Sequence, residues 1–285
     1  MTVPVDIPEL DGYDVVPGDL GARPDAVGLL CGPMQRLTAD DLDLLAHLRA
    51  VSVAGAGTDG LDLDALRERG IPLSTAPEPT APATADLAVT LMLMAARRVD
   101  EGQAMLREGS WPGWSFDDVP GRDLHGATLG LVGFGHIGRL VARRAEAFGM
   151  TVLHHTRTAT GEAGYVARLD DLLSRSDVLS VHVPLTPETR GLIGSRELDL
   201  LPEDAIVVNT ARGGIVDEQA LCDGLDDGRL FAAALDVFVG EPRIDPRLAQ
   251  TPHLVLTPHI GSATRQTRQR MVTTAAQRLG SLLAS

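Results

Sequence analysis

Three stretches in the C-terminal half carry side chains suited to binding an acid and moving a proton. Asn209-Thr210-Ala211-Arg212-Gly213-Gly214 holds an arginine. Leu235-Asp236-Val237-Phe238 is followed by Glu241-Pro242, and Thr257-Pro258-His259-Ile260-Gly261 holds a histidine. An Arg guanidinium grips a carboxylate through two parallel hydrogen bonds. A His imidazole exchanges a proton near neutral pH, and a Glu beside it orients the ring and favours its charged form. Singly each has a plainer reading: Arg212 as a loop ion pair, Glu241 as a surface acid, His259 as a capping residue. Together they suggest a site. A fourth stretch, Gly133-Phe134-Gly135-His136-Ile137-Gly138, follows an apolar run and opens a helical pattern. In that context Gly133 makes a tight turn, Gly135 lets backbone approach a pyrophosphate, and Gly138 lets the helix pack on the strand. The helix N-terminus adds unpaired N–H groups and positive potential for phosphates. The expectation is a dinucleotide site.

The next strand-like run ends at His155-Thr156-Arg157. An NAD site has an acid about 20 residues past the glycines to hold the ribose hydroxyls. Thr156 lies 156 − 138 = 18 residues past Gly138 and is neutral. A 2′-phosphate would meet no repulsion there, and Arg157 could pair with it. NADP(H) is therefore expected in preference, with NAD(H) possible. The neighbouring His154 and His155 point to opposite faces of a strand, so they do not share an ion, and no metal site is expected. Cys31 and Cys222 belong to no CxxC pair and read as reduced thiols of a cytoplasmic protein.

These residues need a frame. Residues 26–31 and 50–54 read as short buried strands. TADDLDLLAHL between them reads as a helix capped by Thr38. A short helix over 62–69 and a strand in IPLST follow. The Pro-rich stretch APEPTAPAT, 76–84, is the candidate boundary, and one long helix is expected over 84–107. Beyond residue 124, strands at 128–132, 150–155, 178–183, 205–210, 231–237 and 253–258 alternate with helical patterns. The last pattern, 263–283, is a helix that returns to the first unit. Alternation of this kind predicts an α/β fold with parallel, doubly wound sheets. Ligands in such sheets bind at the carboxyl ends of strands. Three successive strands thus deliver Arg212, Glu241 and His259 to the rim that carries the glycine loop.

Composition narrows the function. Among 285 residues, 39 acids face 25 basic residues, giving 25 − 39 = −14, and every basic residue is Arg. The absence of Lys excludes a Schiff-base lysine, a phosphate-loop lysine and a Lys general base. The acidic balance argues against nucleic acid and anionic membrane as partners. The N-terminal MTVPVDIPELDG lacks the apolar core of a signal peptide, and the longest apolar run, 87–96, is too short to span a bilayer.

The glycine motif, NTARGGIVDE (209–218), ALDVF…EP (234–242) and TPHIGSAT (257–264) resemble the D-2-hydroxyacid dehydrogenase family. TADLAVTLMLMAARRV (84–99), GSWPGW (109–114) and GATLGLVGFGHIGR (126–139) are most similar to its glyoxylate/hydroxypyruvate reductase branch. The resemblance implies two Rossmann-like domains with an interdomain active-site cleft. One is a substrate-binding domain of residues 1–80 plus 264–285; the other is a dinucleotide-binding domain of residues 81–263. It implies Arg212, Glu241 and His259 as the catalytic set. It carries cofactor roles to His136, Ile137, Thr156, Arg157, Val183, Pro184, Thr210, Asp236, His259 and Gly261, with Asp236 near the nicotinamide amide. Substrate contacts fall to the backbone of Ala56 and Gly57, to Leu30 and Cys31, and to Arg212. A homodimer with Trp111 and Trp114 near the partner is implied too. The implied reaction reduces a short 2-keto acid, glyoxylate or hydroxypyruvate, to the D-2-hydroxy acid. D-lactate, phosphoglycerate and phosphite are alternative substrates, and a nucleotide-sensing, corepressor-like binding module is the alternative of another class. Only about 25 residues precede AVGLLC, so the family's first βα unit reads as shortened. No C-terminal regulatory domain follows, which argues against the larger phosphoglycerate dehydrogenases.

Overall fold

The computed structural model describes residues 10–16, 23–116 and 119–285. The first nine residues of the acidic N-terminal stretch, and with them part of the expected shortened βα unit, lie outside the described residues. The chain forms two compact units, Met1–Ala81 with Ser262–Ser285, and Pro82–Gly261.

The first unit contains β1 (Gly28–Cys31), α1 (Ala39–Asp43), β2 (Ala50–Val53), α2 (Leu63–Glu68) and β3 (Leu73–Thr75). The strands are parallel in the order β1-β2-β3, with Cys31 opposite Val53 and Val53 opposite Thr75. The helix read over TADDLDLLAHL is shorter than expected. Thr38 and Asp41 form a reciprocal capping box, yet α1 stops at Asp43. Beyond it Leu45 N–H bonds to Leu42 O, and Leu48 N–H to Leu45 O. Leu42, Leu45 and Leu48 are spaced by three and all buried. Three-residue turns stack i and i+3 on one side, so this spacing is met by tight turns and not by an α-helix.

The second unit opens with α3 (Ala81–Ala96) and α4 (Val99–Glu108), where a single helix over 84–107 was expected. Pro82 is tolerated in the first turn, where its missing N–H has no partner to lose. The break falls at Arg98, whose φ is +48. Its guanidinium donates to Glu101 on α4, and the same carboxylate accepts from His253 Nδ1 at 2.9 Å, from a distant loop that also touches Arg98. That long-range contact offsets the cost of a left-handed Arg. Then come β4 (Thr128–Val132), α5 (His136–Ala147), β5 (Thr151–His155), α6 (Leu169–Leu173), β6 (Val178–Val181), α7 (Ser195–Asp199), β7 (Ala205–Asn209), α8 (Glu218–Asp226), β8 (Leu230–Leu235) and β9 (Leu254–Leu256). The final helix, α9 (Arg265–Ala284), belongs to the first unit. Its Ala276, Leu279 and Leu283 pack on Ala50, Val27 and Leu30.

The six strands of the second unit form a parallel sheet in the order β5-β4-β6-β7-β8-β9. Beyond β5, Tyr165 makes one parallel bridge with His154. The third strand of a doubly wound dinucleotide sheet is thus present as a single residue pair. Successive strand residues face opposite sides. Val207 packs with Leu179, Val181 and Leu221 on one face; Ile206 and Val208 pack with Leu129, Leu131 and Leu91 on the other. Helices cover both faces, so the strands read as continuous apolar runs. The order reverses at β4, which lies between β5 and β6. Its carboxyl end, where residues 133–138 begin, is the switch point at which such sheets bind ligands.

Candidate active site

The glycine loop leaves β4 at Gly133, with φ +98. A Cβ on Gly133 would lie 2.5 Å from the His182 carbonyl oxygen, and one on Gly138 would lie 2.4 Å from the Gly133 oxygen. Both positions are closed to any side chain. A Cβ on Gly135 would meet nothing within 4 Å, so that glycine faces open space. Gly135 also caps α5 without a side-chain bond to the helix N–H groups. One glycine makes the turn, one leaves room and one lets the helix pack closely, which is the fit a pyrophosphate requires. Beside this rim Thr210 Oγ1 is buried without a hydrogen-bond partner among the described residues. Such an atom fits a ligand that completes it.

Phe134 stacks on His154 with ring centroids 3.7 Å apart. His154 Nε2 bonds to Thr160 Oγ1 and His155 Nδ1 to the Val166 carbonyl, so the two imidazoles are engaged separately. Burial lowers the His154 pKa. Burial also pulls His182, behind the glycine loop, down to about 4. Thr156 donates its hydroxyl proton to the Thr158 carbonyl at 2.6 Å and keeps its oxygen as an acceptor. Arg157 is exposed. The Thr186 hydrogen bond holds Glu188 below the usual carboxylate range, and the Arg157 charge adds to that. Val183 crowds the Gly133 turn, Pro184 and His136 are exposed, and Ile137 packs partly against the core.

The proton-handling pair forms at the other end of the rim. His259 Nδ1 lies 2.7 Å from Glu241 Oε2, while Glu241 Oε1 accepts the Phe238 N–H at 2.8 Å. With Nδ1 engaged, Nε2 is the nitrogen left for a substrate. His259 has φ +52, a conformation uncommon outside glycine. Asp236 holds it there. Its Oδ1 accepts from the Thr257 hydroxyl and the Ile260 N–H, its Oδ2 from the Gly261 N–H, and its carbonyl oxygen from the His259 N–H. Burial pushes the Asp236 carboxyl up, against those side-chain and backbone hydrogen bonds.

Arg212 follows β7 on a loop shaped by Asn209. Asn209 Nδ2 donates to the Arg212 carbonyl, and its Oδ1 accepts the Ala211 N–H. Sequence reading gave Asn209 no role, although an Asn at a strand end that bonds its own following backbone is a recognisable turn former. Gly213 packs against the next loop, where a Cβ would lie 2.0 Å from the Phe238 carbonyl carbon. Arg212, Glu241, His259, Asp236, Gly261 and the glycine loop all lie at strand carboxyl ends of one sheet. Leu30, Cys31, Ala56 and Gly57 lie at the carboxyl ends of β1 and β2, in the first unit. There Cys31 is buried among Leu37 and Val53, and burial pushes its thiol up to about 11. Leu30 rests partly on α9, Gly57 is buried and Ala56 is exposed.

A switch-point glycine loop on a doubly wound sheet, sharing its rim with an Arg and a Glu–His pair, defines a dinucleotide-dependent oxidoreductase. The sequence model described as "D-isomer specific 2-hydroxyacid dehydrogenase, NAD binding domain" matches residues 89–261. The chain belongs to the D-2-hydroxyacid dehydrogenase family, on its glyoxylate reductase branch. It is 43% identical over 232 residues to a glycerate dehydrogenase of Hyphomicrobium methylovorum, covering 79% of this chain and 72% of that one. It is 41% identical over 251 residues to a glyoxylate reductase of Thermococcus litoralis, covering 84% and 76%. The solved TT0316 protein of Thermus thermophilus superposes with a TM-score of 0.88 at 44% identity, covering 93% of this chain and 86% of that one. Among the described residues no helix is long and apolar enough to cross a membrane, and no group of three His, Cys, Asp or Glu could hold a metal ion.

Proposed function

We propose that the protein reduces a short 2-keto acid, glyoxylate or hydroxypyruvate, to the D-2-hydroxy acid, with NADPH preferred over NADH. The observation that carries this reading is the 2.7 Å contact between His259 Nδ1 and Glu241 on the rim of the glycine loop. Arg212 binds the substrate carboxylate and polarises the keto oxygen. The substrate contacts assigned to the first unit are the backbone amides of Ala56 and Gly57. A nicotinamide cofactor held at the glycine-loop rim would supply the hydride that the keto carbon takes up. His259, protonated, gives its Nε2 proton to the oxygen as the C–O double bond becomes single, and Glu241 stabilises the charged ring until then. Asp236 orients the His259 loop and presents its remaining acceptor capacity to the nicotinamide amide. The open Gly135 and the unpartnered Thr210 hydroxyl support the assignment of a pyrophosphate and a ribose to this rim. The neutral Thr156 followed by Arg157 supports a 2′-phosphate. Relatives named for glyoxylate reduction and glycerate dehydrogenation support a two- or three-carbon acid.

The same reading takes the protein as a homodimer, since Trp111, Trp114 and Phe116 form an exposed aromatic stretch. It places the protein in the cytoplasm, in keeping with two free, buried thiols. The test is a panel of initial rates with glyoxylate, hydroxypyruvate, pyruvate and phenylpyruvate, each with NADPH and NADH. Highest kcat/KM with glyoxylate or hydroxypyruvate is the expected result. Preference for pyruvate or phenylpyruvate overturns the substrate assignment, and absence of turnover with all four favours a binding module.

A further inference from the structure

Two carboxylates are buried among the described residues, Asp236 and Glu218. Asp236 holds the loop that carries His259. Glu218 has no part in the reaction as set out above, and its burial is expensive. Desolvation raises its pKa, the Val239 hydrogen bond opposes, and the charges of Asp245, Asp217 and Glu241 raise it further. A buried acid among three like charges persists only where something holds it.

Glu218 is the first residue of α8, placed there by Asp217, whose side chain caps the Gln219 and Ala220 N–H groups. The Glu218 Oε1 accepts the Val239 N–H at 2.7 Å. The neighbouring N–H, of Phe238, donates to Glu241 Oε1. Two consecutive N–H groups of one turn are thus held by two carboxylates, and the second of these reaches His259. Phe238 is packed in the core, but the next residue, Val239, is 53% exposed, so beyond Phe238 the turn relies on its hydrogen bonds. From the Arg212 loop, Gly213 closes on the same turn, where a Cβ would lie 2.4 Å from the Val239 nitrogen. Residues 238 and 239 are clamped between the Arg212 loop and the start of α8.

We infer that Glu218 is a positioning residue, which fixes the turn at 238–241 so that Glu241 meets His259. Asp236 fixes the turn at 258–261 from the other side, so each member of the pair is set by its own buried acid. The inference rests on the reading of Glu241 and His259 as the proton-donating pair. The groups facing them are Asp217 and Asp245 around Glu218, and Asp236 beside His259.

The experiment compares Glu218→Ala, Glu218→Asp, Glu218→Gln, Glu241→Gln and the double variant Glu218→Ala/Glu241→Gln in the full chain. It measures kcat and KM for glyoxylate with NADPH across pH. Glu218→Ala, and Glu218→Asp with its acceptor drawn back by one methylene, should lower kcat about tenfold to a hundredfold, the scale of a small misplacement of a reacting group. KM should stay within about twofold, because Arg212 is untouched. The alkaline limb of the rate profile should move to lower pH, as in Glu241→Gln. Glu218→Gln, whose amide oxygen still accepts from Val239, should keep the wild-type profile. The double variant should fall no further than Glu241→Gln alone. Lowered thermal stability with an unmoved profile in Glu218→Ala and Glu218→Asp, while Glu241→Gln moves it, overturns this inference alone. An unmoved profile in Glu241→Gln overturns the proton-pair reading and this inference with it.

Discussion

His259 combines a left-handed backbone with, in the proposed reaction, a proton to give. Asn tolerates that backbone better than other non-glycine residues, so His259→Asn removes the proton donor and keeps the loop. Its kcat should fall about 10²- to 10⁴-fold, the usual contribution of a positioned acid, with an unchanged melting temperature. Near-normal turnover in a folded variant would exclude His259 as the donor. In the proposed cofactor preference the deciding residues are Thr156 and Arg157. A charge-assisted hydrogen bond to a 2′-phosphate is worth roughly 1.5–3 kcal/mol, or about tenfold to a hundredfold in affinity. NADPH should therefore exceed NADH at least about tenfold in kcat/KM. Thr156→Asp with Arg157→Leu should reverse the order, since the new carboxylate accepts from both ribose hydroxyls and repels the phosphate. Equal rates with both cofactors, unaltered in the double variant, would mean that Arg157 serves only the surface.

The elements show what a sequence discloses and what it withholds. Five of the six strands were legible because each is a run of three to six mainly apolar, mostly buried residues; the edge strand β5, TVLHH with Thr151 exposed, was legible from its place after the glycine-loop helix, and the glycine spacing marked the switch point. Arg212, Glu241 and His259 were legible as strand-end residues, since parallel strands bring their carboxyl ends to one rim. The break between α3 and α4 was not, because the local pattern is helical throughout and the cause, His253, lies 155 residues away from Arg98. The third strand was missed because it is a single bridge at Tyr165. Glu218 escaped notice because its partner is a backbone N–H, which no side-chain pattern reveals. The Arg98–Glu101–His253 cluster makes its own prediction. Burial raises the Glu101 pKa, but hydrogen bonds from Arg98 and His253 outweigh it and leave the carboxyl below its usual 4.5. A depressed acid contributes stability above its unfolded pKa, and loses it as pH falls through the folded value. Glu101→Gln should melt lower than wild type at neutral pH, and the gap should close as pH drops below 4.5. Thermal melts over that range decide; a constant gap would show that the ionised carboxylate adds nothing.

Taken whole, the chain keeps 39 acids in order with 25 arginines and no lysine. A guanidinium fork can serve two carboxylates: Arg247 reaches Asp223 and Asp226, and Arg196 reaches Asp170 and Glu197. The net charge of −14 still favours dispersal of copies. Against it stands one apolar stretch, with Leu106 65%, Trp111 52%, Trp114 76% and Phe116 89% exposed. Within it Trp114 and Phe116 meet edge to face with ring centroids 4.8 Å apart, and exposed aromatic surface with Trp in it is the usual material of an interface. A two-fold interface uses the same patch twice, so in the proposed homodimer these residues would serve both partners. Burying such side chains gains roughly 1.5–3 kcal/mol each, while the charge repulsion opposing it is screened by salt. At micromolar concentration the protein should sediment at twice 30.1 kDa, and association should tighten as salt rises. Leu106→Asp with Trp114→Asp adds two charges to the patch and should give the 30.1 kDa species. A wild-type chain that sediments as a monomer at every salt concentration would remove the aromatic stretch from any self-association.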